Sequence, residues 1–121
     1  MMKILLADDD RVLVHLLSTQ FKARGCEVVV AHDAMQVLMT AMRARPDAIL
    51  LDIQMPGGTG LNALKQLKAS TKTSGIPVVV LTMASDPELL DRAREAGAHA
   101  VLRKPADASA VLEALGETAR P

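Results

Sequence analysis

The chain has 121 residues, half of them apolar, and its 14 Lys plus Arg balance its 14 Asp plus Glu. That length suits a single domain with its own core, and the apolar share excludes a disordered chain. A formal charge of zero gives no electrostatic hold on DNA, RNA or an anionic membrane, and no apolar run approaches the ~20 residues of a membrane span.

The opening MMKILLADDDR lacks a signal peptide's layout, because acids break the apolar stretch at once. The single Cys26 excludes an internal disulfide and reads as strand core, which fits a reducing cytoplasm. KILLA (3–7) is continuously apolar, as a strand buried on both faces must be. Asp10 then caps a helix that turns Leu13, Leu16, Leu17 and Phe21 inward and stops at Gly25. EVVVA (27–31) is the second strand, and Asp33 caps a helix with Val37, Leu38, Ala41 and Met42 inward, ended before Pro46. AILLD (48–52) is the third strand, followed by Met55-Pro56 and a turn through Gly57 and Gly58. A third helix runs from about Gly60 through Leu61, Leu64 and Leu67 to the polar loop ASTKTSG. PVVVLT (77–82) precedes Asp86-Pro87-Glu88, which supplies a cap, a proline at the first helical position and a first-turn acid; that helix closes at Gly97. AVLRK (100–104) is the fifth strand, and Asp107 opens a last helix with Val111, Leu112 and Leu115 inward. The seven methionines stand mostly at helix-core spacing and read as core filler; His15, His32 and His99 share no metal-ligand spacing.

Strict β-α alternation with buried strands predicts an α/β, doubly wound fold: a five-stranded parallel sheet in the flavodoxin-like order 2-1-3-4-5. The whole chain, 1–121, reads as one domain with a core over about 3–118. In such a sheet the ligand site lies outside the carboxyl ends of the strands, near the switch between strands one and three. Asp8 and Asp9 stand at the first of those ends, Asp52 at the third, Thr82 at the fourth and Lys104 at the fifth. Three carboxylates therefore gather at one edge, and each ionised pair ~5 Å apart costs roughly 3 kcal/mol at an effective dielectric near 20. A divalent cation relieves that repulsion, and hard oxygen ligands with room for water and phosphate suit Mg²⁺. Asp10 reads as the adjacent helix cap, with no ligand role. A metal, a carboxylate, a hydroxyl and an ammonium make a phosphoryl-transfer kit: Asp52 attacks phosphorus, while Thr82 and Lys104 hold the transferred oxygens. No general base is needed, since a carboxylate is ordinarily ionised at neutral pH.

ILLADDD, AILLDIQMPGGTGL, VVVLTMAS and GAHAVLRKP occur in an order and spacing that resemble the receiver domain of two-component response regulators, over about residues 3 to 118. The resemblance implies that Asp52 is the phosphoacceptor and that Asp8 and Asp9 serve the metal with the Gln54 backbone carbonyl. It also implies that Thr82 and Lys104 contact the phosphoryl group, and that Pro105 can follow a cis peptide. It further implies a histidine kinase or histidine phosphotransfer protein as donor, docking on Arg11, Val12, His15, Leu16 and the Pro105–Asp107 stretch. A second copy or a downstream protein is then expected on the face made by helix four (Leu89, Leu90, Ala93), strand five and helix five. Such a module is no general enzyme: it catalyses only its own phosphorylation and dephosphorylation, in the cytoplasm, without direct nucleic-acid or membrane contact.

Two positions depart from the family's pattern. Val101 stands where receivers usually carry a Tyr or Phe that switches with Thr82, and the only aromatic residue is Phe21. Met83 replaces a small residue and narrows access to Asp52, slowing either phosphoryl entry or water. A pseudo-receiver, binding a partner without phosphorylation, is the competing reading. A metal-dependent phosphatase fits poorly, because DDDRV is not its usual D-x-D-x-T/V and no cap domain is encoded.

Overall fold

The computed structural model describes residues 2–54, 60–83 and 86–116. The turn expected at Met55 to Gly58, and residues 117 and 118 of the expected core, lie outside the described residues. The five apolar runs form strands β1 (Lys3–Ala7), β2 (Glu27–Ala31), β3 (Ala48–Leu51), β4 (Val78–Thr82) and β5 (Ala100–Arg103). They alternate with α1 (Arg11–Ala23), α2 (Ala34–Ala44), α3 (Gly60–Ala69), α4 (Pro87–Glu95) and α5 (Ala108–Ala114). All strand pairs are parallel, in the order β2-β1-β3-β4-β5, as the alternation predicts.

The period-two alternation of strand side chains divides the core into two layers. Leu5, Ala7, Ile49, Leu51, Val78 and Val80 pack on one face with α2, α3 and Ala93 of α4. Ile4, Leu6, Leu50, Val79 and Leu81 pack on the other with Val14, Leu17 and Phe21 of α1 and Val111 and Leu112 of α5. Three central strands buried on both sides are what a continuous Val, Ile and Leu run requires.

The helix ends follow the sequence signals. Asp10 accepts from the backbone N–H groups of Val12 and Leu13, Asp33 from Gln36, Asp86 from Glu88 and Asp107 from Ala110. α5 is also tied to α1, where the Gln20 side chain accepts the Ala108 N–H at 2.8 Å.

Three readings of buried faces are corrected. Leu16 and Met42 are exposed, not inward: the sheet-facing arcs are Val14, Leu17 and Phe21 on α1, and Ala34, Val37, Thr40 and Ala41 on α2. Of the described methionines only Met2 fills core, packing against the α1–α5 layer. Met35, Met39 and Met42 are exposed on the arc of α2 opposite its sheet-facing residues, and Met83 is exposed after β4.

Candidate functional site at the carboxyl edge of the sheet

Four of the five strands deliver functional side chains where their ladders run out: Asp8 and Asp9 after β1, Asp52 after β3, Thr82 at the end of β4 and Lys104 after β5. The backbone bonds continue one residue past three of the strands. Asp8 N–H donates to Ala31 O, Asp52 N–H to Ala7 O at 2.8 Å, and Lys104 N–H to Thr82 O at 3.0 Å. Sheet register therefore fixes where Asp8, Asp52 and Lys104 begin, and Thr82 closes β4 itself. Asp8, Asp52 and Thr82 are buried, whereas Asp9 is exposed.

The side chains converge. Carboxylate oxygens of Asp8, Asp9 and Asp52 lie within 4.8 Å of one another, a set able to hold a metal ion. Lys104 Nζ stands 2.9 Å from Asp8 Oδ2 and 3.2 Å from Asp52 Oδ2, bridging the two buried acids. The other oxygens are held by backbone: Asp10 N–H donates to Asp8 Oδ1, and Gln54 N–H to Asp52 Oδ1, both at 2.9 Å. One ammonium among three carboxylates leaves the cluster net negative. Burial pushes the Asp8 carboxyl above its ordinary range, against the opposing pull of the Asp10 N–H and of Lys104. Burial also works against the Lys104 ammonium, but hydrogen bonding and attraction from Asp8 and Asp52 outweigh it, and its pKa is raised. A hard divalent cation fits this donor set, because the oxygens already cluster and the charge deficit is positive.

All the predicted site residues thus lie at one edge of the sheet, with Val101 apart on β5, half-buried against the α2–α3–α4 layer. Met83 is exposed beside Thr82, and the Lys104-Pro105 peptide is cis. Sequence reasoning missed the side chain of Gln54, whose Oε1 accepts the Thr82 hydroxyl at 3.1 Å. It also missed His32, whose Nδ1 lies 3.4 Å from Asp8 O. A polar residue two positions past Asp52 was the only hint of the first contact, and none pointed to the second.

A doubly wound sheet with an acidic cluster and a bridging lysine at its carboxyl edge defines a signalling module of the two-component type. The family model described as "Response regulator receiver domain" matches residues 4–116, and the chain belongs to that family. It is 34% identical over 103 residues to the DNA-binding response regulator MtrA of Mycobacterium tuberculosis, covering 85% of this chain and 44% of that protein. It is 36% identical over 121 residues to the sensory/regulatory protein RpfC of Xanthomonas campestris, covering 98% of this chain and 16% of that protein. The chain thus spans less than half of these curated relatives. Among solved structures, the chemotaxis response regulator CheY4 of Vibrio cholerae superimposes with a TM-score of 0.87 at 30% identity, covering 96% of this chain and 97% of that one. The receiver domain of sensor histidine kinase PA1611 from Pseudomonas aeruginosa, solved with a magnesium ion coordinated in its active site cleft, gives 0.85 at 26% identity, covering 94% and 93%. No helix among the described residues is long and apolar enough to cross a membrane.

Proposed function

We propose that this chain is one receiver unit whose Asp52 accepts a phosphoryl group from a phosphohistidine donor. One observation carries the reading: Lys104 spans Asp8 and Asp52 at 2.9 and 3.2 Å, with Asp9 beside them, at the edge where all the strands end. Asp8, Asp9 and Asp52, with the backbone carbonyl of Gln54, would hold Mg²⁺, whose charge offsets that on the transferring oxygens. An Asp52 carboxylate oxygen forms the new bond to phosphorus. The donor's phosphorus–nitrogen bond breaks, and its electron pair stays on the departing imidazole. Lys104 then gives up its bond to Asp52 and pairs with a phosphoryl oxygen, and the Thr82 hydroxyl donates to another. The chain thereby catalyses its own modification and turns over no separate substrate.

The donor, a histidine kinase or phosphotransfer protein, docks on the first turns of α1. Val12 and Leu16 are 80% and 52% exposed there, Arg11 and His15 are exposed with them, and the same docking takes in the Pro105–Asp107 stretch, where Pro105 and Asp107 are exposed. Output runs through α4, β5 and α5, to a second copy or a downstream protein, in the cytoplasm and without direct nucleic-acid contact by this unit. Val101 carries no ring, so the signal passes through movement of α4 and β5 as packed units.

Intact mass after incubation with acetyl phosphate tests the proposal. One phosphoryl group should be added with Mg²⁺, and none with chelator or in Asp52→Asn. Failure to label in wild type and in Met83→Ala, despite Mg²⁺ binding, would leave a phosphorylation-independent binding module instead.

A further inference from the structure

α2 carries an apolar surface that the fold leaves uncovered. Met35, Met39 and Met42 stand at i, i+4 and i+7, one stripe of a helix, and are 76%, 68% and 36% exposed. The opposite arc, with Val37 and Ala41, packs on the sheet. No residue from Ala34 to Met42 is charged. The charges stand at the two ends: Asp33 at the N-cap, and Arg43 and Arg45 at the C-terminal end. Both arginines are exposed, and neither forms an ion pair among the described residues.

We propose that this face is a contact between two copies of the chain, with their α2 helices antiparallel about a two-fold axis at Met39. In that arrangement Met39 meets its own copy, and Met35 of each protomer lies opposite Met42 of the other. The acidic start of each helix then falls beside the arginines of its mate. Charge decides the direction: a parallel pair would set Arg43 and Arg45 against their own copies, whereas the antiparallel pair matches unlike charges twice and opposes the helix dipoles favourably. The contact is isologous and closes as a dimer. Exposed ion pairs add little affinity, so the flexible, polarizable methionines supply most of it and the charges set orientation. An 11-residue helix is only about 16 Å long. The contact therefore buries less than the ~1,200 Å² of a standard interface, and dissociation on the order of 10–100 µM is expected. α2 crosses at the β2 edge of the sheet, far from β5, so this dimer is distinct from any contact through α4, β5 and α5.

Sedimentation velocity of the 121-residue chain from about 5 to 500 µM, a range bracketing the expected affinity, should show a monomer passing to a dimer. Met39→Lys, which sets two ammonium groups together on the axis, should weaken association at least tenfold. Met39→Gln, close in size and helix propensity, should weaken it several-fold. Lys22→Glu, at an exposed position near the C-terminal end of α1, should leave association unchanged. In a Cys26→Ser background, a short bifunctional thiol reagent should link Met39→Cys to itself and Met35→Cys to Met42→Cys, but not Met35→Cys to itself. A chain monomeric throughout, a dimer indifferent to both Met39 variants, or efficient Met35→Cys self-linkage would overturn the proposal.

Discussion

Gln54 holds the Thr82 hydroxyl at 3.1 Å, and under the proposed function that hydroxyl must turn to a phosphoryl oxygen. The two partners compete for one donor, since a hydroxyl has a single proton to give. A hydrogen bond of this kind is worth about 1 kcal/mol net. Gln54→Ala should therefore remove that competing acceptor and raise the rate of Mg²⁺-dependent labelling by acetyl phosphate about two- to tenfold. The backbone N–H of residue 54 still reaches Asp52 Oδ1 in that variant, so the acceptor stays oriented. A slower rate would mean that the Gln54 side chain assists transfer and does not restrain Thr82. This contact was not legible in the sequence for a physical reason. Chain position places Thr82 and the backbone of Gln54 at one sheet edge, but a long amide has several rotamers, and only the packed surroundings select one. The acids and Lys104 were legible because strand ends in a parallel sheet leave no freedom over which residues gather there.

Among the connecting elements, the join between β3 and α3 bears most directly on the site. A Cβ on Gly60 would lie 2.3 Å from Ile53 Cα and 2.5 Å from Asp52 O, both backbone atoms that have no rotamer to yield. α3 can approach the end of β3 only because residue 60 has no side chain. Gly60→Ala should cost about 2–3 kcal/mol in urea unfolding and weaken Mg²⁺ binding, since the strain falls on the Asp52 backbone. Gly75→Ala is the control. A Cβ there meets nothing within 4 Å, and the change should stay within about 0.5 kcal/mol. Equal effects at the two positions would refute the close-approach argument. Element identity and most helix ends were readable in advance, since Asp caps, Pro87 and the glycines at 25 and 97 announce them. The buried faces were less so. α1 offers Val12, Leu13, Val14, Leu16, Leu17 and Phe21, more apolar residues than one arc can hide, and periodicity alone does not say which arc meets the sheet. Val12 and Leu16 lost that contest, which left them exposed beside the site.

At the scale of the whole molecule, the site works against the stability of the metal-free fold, and pH exposes the conflict. Asp8 is buried, and its pKa is raised above the ordinary 3.8, so between those two values the folded state binds more protons than the unfolded state. Stability contributed by Asp8 is therefore present below pH 3.8 and lost as pH rises through the folded value. Lys104 runs the same way at the alkaline end: its stabilising pairing persists up to 10.5 and is lost as pH passes the raised folded value. Asp8→Asn removes the charge whose burial is unfavourable, while Lys104 keeps Asp52 as its partner at 3.2 Å. With chelator at pH 7 the variant should melt a few degrees above wild type, roughly the shift that 1 kcal/mol gives a domain of this size. That difference should shrink toward zero as the pH falls below 3.8, where the Asp8 carboxyl is neutral in both states. Mg²⁺ should reverse the order. At ten times its dissociation constant it adds about 1.4 kcal/mol to wild type by mass action, and it adds little to a variant lacking one carboxylate of the cluster. A variant less stable than wild type with chelator would mean that Asp8 stabilises the fold by its bond to Lys104 more than its burial opposes it. A cluster that Lys104 neutralises only in part, and that a bound cation relieves further, makes the folded domain itself responsive to Mg²⁺, so calorimetry across pH and Mg²⁺ tests the metal site without reference to phosphorylation.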